Sequence, residues 1–141
     1  MSGRNERIAL ASGDYLIDTD VLIDHLRGNI LARDFLGALL LDGATLHFSV
    51  ISEAEIYSNV RPGEGPRIRA LFEAMSRLPI DGAIARRAGT YQDLLRATIR
   101  LALSDALIAA TAQEHEATLV TRNVRHYPMT DVVVVEPYTI S

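Results

Sequence analysis

Hydrophobic positions along this chain fall into short continuous runs separated by longer stretches with helical spacing. Tyr15–Ile17 is the first run, and a helix follows over roughly Thr19–Arg27. Leu31, Phe35, Leu36, Leu39 and Leu40 then share one helical face. "LHFSVI", Leu46–Ile51, reads as the second strand, with a helix starting near Ser52. "RPGEGPR", Arg61–Arg67, is a loop by its proline and glycine content. Beyond it Ile68, Leu71, Phe72 and Met75 return to helical spacing, and Leu78–Ile80 is a candidate short strand. Residues 83–100 form a helix with Ile84, Ala88, Tyr91 and Leu95 on one side. The alanine-rich stretch Asp105–Ala112 is apolar on nearly every side, as in a buried helix. Thr118–Thr121 and Val132–Val135 supply the last two strands.

Strands that lack a polar face, alternating with helices, predict an α/β domain with a central parallel sheet of about four or five strands flanked by helices. One domain is expected over residues 1–141, with 1–13 as a short N-terminal extension. Ligands of open α/β sheets bind beyond the carboxyl ends of the strands. Four polar residues stand where they can reach that edge. Asp18 follows the first strand, Glu55 lies in the first turn of the helix after the second, Asp105 opens the alanine helix, and Asn123 follows the strand 118–121. Each acid also has a structural explanation. Asp18 or Thr19 can cap a helix, Ser52 and Glu55 fit a capping box, and Asp105 can complement a helix dipole. Three acids at one edge, however, repel one another unless a cation neutralises them. Oxygen ligands without cysteine suit Mg²⁺ or Mn²⁺, which points to metal-dependent phosphate chemistry.

Composition narrows the classes. At 141 residues, 48% hydrophobic and 23% charged, the chain can bury a core of ordinary domain size. Its apolar runs are too short to span a bilayer. The N-terminus carries charges of both signs and only a four-residue apolar patch, unlike a secretory signal, so a cytoplasmic protein is expected. There is no cysteine, hence no disulfide or thiolate metal site. The net charge of −4 argues against a surface that coats nucleic acid broadly, though not against a local basic patch. Lysine is absent from the sequence. Arg122, Arg125 and His126 follow the strand 118–121 and are candidates for phosphate contact, because strand-end loops face the ligand edge. Arg86, Arg87, Arg96 and Arg100 fit a solvated helix face better.

The stretches "YLIDTDVLIDHLRG", "SVISEAEIY" and "LSDALIAATAQEHEATLVTRNVRHYP" resemble the PIN-domain nucleases, specifically the VapC toxins of toxin–antitoxin modules. The resemblance runs from Tyr15 to the C-terminus. It implies a PIN-like fold in which Asp18, Glu55 and Asp105 are acidic metal ligands, with Thr19 and Thr121 ordering the site through their hydroxyls. The chain departs from the family at Asn123, where Asp is frequent; His126 stands where some members carry an acid. Asn can offer a carbonyl oxygen or hold a metal-bound water, but it brings no charge. The implied activity is Mg²⁺- or Mn²⁺-dependent endoribonuclease cleavage to a 3′-hydroxyl and a 5′-phosphate. The implied partners are a second copy in a homodimer and a cognate VapB-type antitoxin that pushes a basic segment into the acidic site.

Two other readings compete. "LIDTDV" also resembles the DxD opening of haloacid-dehalogenase-like phosphatases, with Asp18 as nucleophile and Asp20 as general acid. That chemistry relies on a basic residue, usually lysine, and a late acidic pair. A receiver domain fails on the same missing lysine. The third reading is a catalytically weak PIN-like binding module, favoured only by Asn123.

Overall fold

The computed structural model describes residues 13–140. Of the expected N-terminal extension, all but Gly13 lies outside the described residues. Five strands and six helices follow in the order β1 (Asp14–Ile17), α1 (Thr19–Leu26), α2 (Ile30–Leu41), β2 (Thr45–Ser49), α3 (Val50–Tyr57), α4 (Gly65–Glu73), β3 (Ser76–Leu78), α5 (Gly82–Leu95), α6 (Leu103–Glu114), β4 (Thr118–Val120) and β5 (Val134–Val135). A single 3₁₀ turn, Val124–His126, sits between β4 and β5.

All strand pairs are parallel, in the order β3-β2-β1-β4-β5. β1 is central, with Leu16 opposite His47 on one side and Leu119 on the other. Successive strand side chains point to opposite faces, and the two cores show it. Leu16 and Leu119 pack with Ile84, Ala88 and Tyr91 of α5 and with the alanines of α6. Tyr15, Ile17, Leu46, Phe48 and Val120 pack on the other face against α1, α2, α3 and α4. Both faces are therefore covered, which explains why these strands lack a polar side. α6 buries Ala106, Ile108, Ala109, Ala110, Thr111 and Ala112, as its composition predicts.

Four boundaries differ from expectation. β2 ends at Ser49, and Ser49 rather than Ser52 caps α3 by accepting a hydrogen bond from Ile51 N at 2.9 Å. Ser52 thus lies inside the helix, fully buried, and the Ser52–Glu55 capping box does not form. β3 is shifted two residues earlier than Leu78–Ile80, pairing its residues with His47–Ser49. α4 starts at Gly65, inside the stretch expected to be loop, with Pro66 in its first turn where the missing N–H has no helical partner to lose. α5 stops at Leu95, so Arg100 falls beyond it.

Candidate active site

The chain leaves β1 for β2 on one side and returns later to β4 on the other. The carboxyl ends of β1 and β4 therefore flank the switch point, where a crevice opens in such sheets. Asp18 N bonds Val120 O at 2.9 Å and ties the two strand ends together. From there Asp18 caps α1, its Oδ1 accepting from Thr19 N at 2.8 Å. Its Oδ2 accepts from the hydroxyls of Thr121 (2.8 Å) and Tyr127 (2.9 Å). The carboxylate is 7% exposed. Burial, followed by the nearby Asp20 charge, pushes its pKa up to about 6, against the pull of those three donors.

Asp105 lies in the first turn of α6, whose cap position, Ala102, offers no side-chain bond. The Tyr127 hydroxyl stands 3.2 Å from Asp105 Oδ1, so one phenol oxygen touches both Asp18 and Asp105. His126 Nδ1 lies 3.4 Å from Asp105 Oδ2 on the outer side. Glu55 is exposed and joins through Thr19, whose hydroxyl donates to Glu55 Oε1 at 2.6 Å. With one proton to give, the Thr19 hydroxyl accepts from Ser52, 2.8 Å away. The Thr19 and Thr121 hydroxyls are thus each held to a carboxylate, Glu55 and Asp18 respectively.

Asn123 does not face Asp105 in this arrangement. Its Nδ2 donates to Asp20 Oδ2 at 3.1 Å, and the same oxygen accepts from Arg122 N at 3.1 Å. The other oxygen, Asp20 Oδ1, is buried without a hydrogen-bond partner. Burial raises the Asp20 pKa as well. Arg122 is not free for RNA contact. Its guanidinium straddles Asp24, Nε to Oδ2 at 2.6 Å and Nη2 to Oδ1 at 3.3 Å, and Asp24 Oδ2 also accepts from Tyr138 at 2.8 Å. A two-pronged pair of this kind clamps the loop after β4 onto α1. Arg125 and His126 remain exposed beside Asn123. Arg87, expected on a solvated face, instead binds Glu114 and Asp131 at 2.6 and 3.3 Å.

Sequence reasoning missed Tyr127 and Ser52. Both sit within the family-like stretches, yet each acts only through a long-range contact, so spacing alone gives no sign of them.

The residues fit a divalent cation of the hydrated kind. Among the described residues no three His, Cys, Asp or Glu side chains gather into a closed cage. Asp18 and Asp105 share the Tyr127 hydroxyl, and Glu55 is linked to Asp18 through Thr19, whose hydroxyl binds Glu55 and whose backbone N binds Asp18. An Asp carboxylate has about four lone-pair directions. Three of those on Asp18 are occupied, leaving Oδ1 one for an ion. Mg²⁺ binds typically through one or two carboxylates and keeps its waters, and the orphaned Asp20 oxygen marks a further polar vacancy nearby.

A parallel sheet whose switch point presents a buried Asp18 clamped by hydroxyls, with Asp105 beside it on the same tyrosine, defines an α/β domain with an acidic centre at its open edge. The chain belongs to the PIN-domain family, which matches residues 15–131. Among similar proteins, Ribonuclease VapC10 of Mycobacterium tuberculosis is 43% identical over 115 residues, 81% of this chain and 86% of that protein. Ribonuclease VapC19 of the same organism is 37% identical over 115 residues, 81% of this chain and 92% of its own. A toxin–antitoxin complex from Klebsiella pneumoniae contains a chain that matches with a TM-score of 0.75 at 30% identity, covering 89% of this chain and 99% of that one.

Proposed function

We propose that this protein is an endoribonuclease toxin of the VapC type that hydrolyses RNA phosphodiesters with Mg²⁺ or Mn²⁺ and is held inactive by a VapB-type antitoxin. The observation that carries the reading is the Asp18–Tyr127–Asp105 junction at the switch point, in a chain 43% identical to a VapC ribonuclease. Asp18, Asp105 and Glu55 hold the ion. When bound, it supplies Lewis acidity at the phosphodiester and lowers the pKa of nearby water. Thr121 and Thr19 keep the carboxylates aimed, and Asn123 serves by fixing Asp20 rather than by adding charge. Arg125 and His126 offer exposed donors to the RNA backbone beside the acids. Cleavage in line leaves a 3′-hydroxyl and a 5′-phosphate. The protein works as a cytoplasmic homodimer; no helix among its described residues is long and apolar enough to cross a membrane.

The phosphatase reading places a nucleophile at Asp18 and a general acid at Asp20. Here Asp20 Oδ2 is tied down by Arg122 N and Asn123, and no lysine exists to steady a phospho-enzyme. A weak binding module is disfavoured too, because such a module has no use for carboxylates held so closely.

The toxin reading is tested by inducible expression in a bacterial host. Wild type is expected to arrest growth, Asp105→Asn to lose most of that effect, and co-expression of the antitoxin from the adjacent reading frame to restore growth. Arrest by Asp105→Asn equal to wild type, with both made at the same level, would remove Asp105 from the chemistry.

A further inference from the structure

Tyr127 is the site residue that nothing in the family-like motifs assigns. It is 3% exposed, and the Val124–His126 turn carries it to the junction of β1, β4 and α6. Its hydroxyl lies 2.9 Å from Asp18 Oδ2 and 3.2 Å from Asp105 Oδ1. A phenol has one proton, so it cannot fully satisfy both acids. The shorter contact, and the deeper burial of Asp18, make Asp18 the main acceptor. Together with Thr121, Tyr127 therefore saturates Asp18 Oδ2 and leaves Oδ1 as the oxygen with room for a ligand. The same phenol oxygen fixes how far apart Asp18 and Asp105 stand.

We propose that Tyr127 is a positioning residue for the divalent ion: its hydroxyl holds the Asp18 carboxylate in the rotation that presents Oδ1, and sets the separation of Asp18 and Asp105 before the ion arrives. Outer partners of ligating carboxylates act in this way, and their loss typically weakens metal binding by about 10- to 100-fold. The inference rests on the proposed metal-dependent site.

A buried tyrosine hydroxyl normally finds some partner, so a purely structural role must be separated from positioning. The fold supplies a matched control. Tyr91 is also buried and donates to a carboxylate, Asp131 Oδ1, at 2.9 Å, on the α5 side of the molecule. Both Tyr127→Phe and Tyr91→Phe remove one buried hydroxyl bonded to an aspartate. Only the first alters the ion's ligands.

The experiment titrates Mn²⁺ into wild type, Tyr127→Phe and Tyr91→Phe, reading free Mn²⁺ by electron paramagnetic resonance, with fold checked by circular dichroism. Wild type and Tyr91→Phe are expected to bind alike, and Tyr127→Phe about 10-fold or more weaker. Unchanged affinity in folded Tyr127→Phe, or tighter binding, overturns the inference. Absence of Mn²⁺ binding by wild type instead overturns the metal-dependent reading itself. A second measurement needs no substitution: wild-type protein carrying ¹³Cζ-tyrosine is titrated with Mg²⁺. The Tyr127 resonance is expected to shift saturably while that of Tyr91 stays; a still Tyr127 resonance at saturating Mg²⁺ counts against positioning.

Discussion

Asp18 carries three duties at once: it ends β1, caps α1 and anchors the polar junction. A carboxylate buried this deeply keeps its charge at a cost, which is why its pKa rises from 3.8 to about 6 without a cation beside it. The consequence for stability has a definite sign. Between those values the folded chain keeps a proton that the unfolded chain has lost, so this group's contribution falls as pH rises through about 6 and is level above it. In EDTA, Asp18→Asn should therefore gain on wild type as pH rises from 4 to 7, by at most about 2–3 kcal/mol for a shift of this size. Urea unfolding of both proteins across that range measures it. A difference that does not change with pH would mean that Asp18 is not the strained charge described here. Excess Mn²⁺ is expected to abolish the trend, because the ion relieves the same cost.

The elements show how the sequence becomes legible and where it stops. The alanine-rich helix, the apolar first strand and the placement of Asp18, Glu55 and Asp105 near one sheet edge follow from periodicity and chain order, and the fold agrees with them. The start of α3 does not follow. "SVIS" offers two serines three residues apart, each a plausible cap, and local chemistry cannot choose between them. Tertiary structure chooses: β2 runs only as far as Ser49, paired with Leu78, and Ser52 tucks against the Thr19 hydroxyl. The two serines therefore have separable roles. Ser49→Ala should cost about 1 kcal/mol through the lost cap, seen as a fall in melting temperature with metal affinity unchanged. Ser52→Ala keeps the cap and instead loosens Thr19 and Glu55, so its larger effect should be on RNA cleavage. Equal effects of both on cleavage would contradict this division. Arg122 and Tyr127 mark the same limit. Arg122 looks like a phosphate contact by its place after β4, yet Asp24 and Asp20 occupy it. Tyr127 looks like core, yet its hydroxyl is the meeting point of the site. Both outcomes depend on which side chains the sheet order brings across from β1, information that no local window contains.

At the scale of the molecule, the parallel order β3-β2-β1-β4-β5 places the crossover between β1 and β4, and the acids collect where that crossover leaves the sheet open. The helices on both faces do the remaining work of covering a sheet that has no polar side. An overall charge of −4 means that RNA is not drawn in by the whole surface. On the proposed function, the ion and the exposed Arg125 and His126 bring the backbone to the carboxylates. Metal-dependent RNA hydrolysis at the Asp18–Asp105 centre is thus the claim on which the rest depends. Purified protein, free of antitoxin, is incubated with total cellular RNA in Mg²⁺, in Mn²⁺ and in EDTA, with Asp105→Asn and a generic phosphatase substrate alongside. Discrete RNA fragments with 5′-phosphates that need the metal and disappear in Asp105→Asn are the expected result. Fragments that persist in EDTA or in Asp105→Asn, or phosphatase turnover without any RNA cleavage, would contradict it.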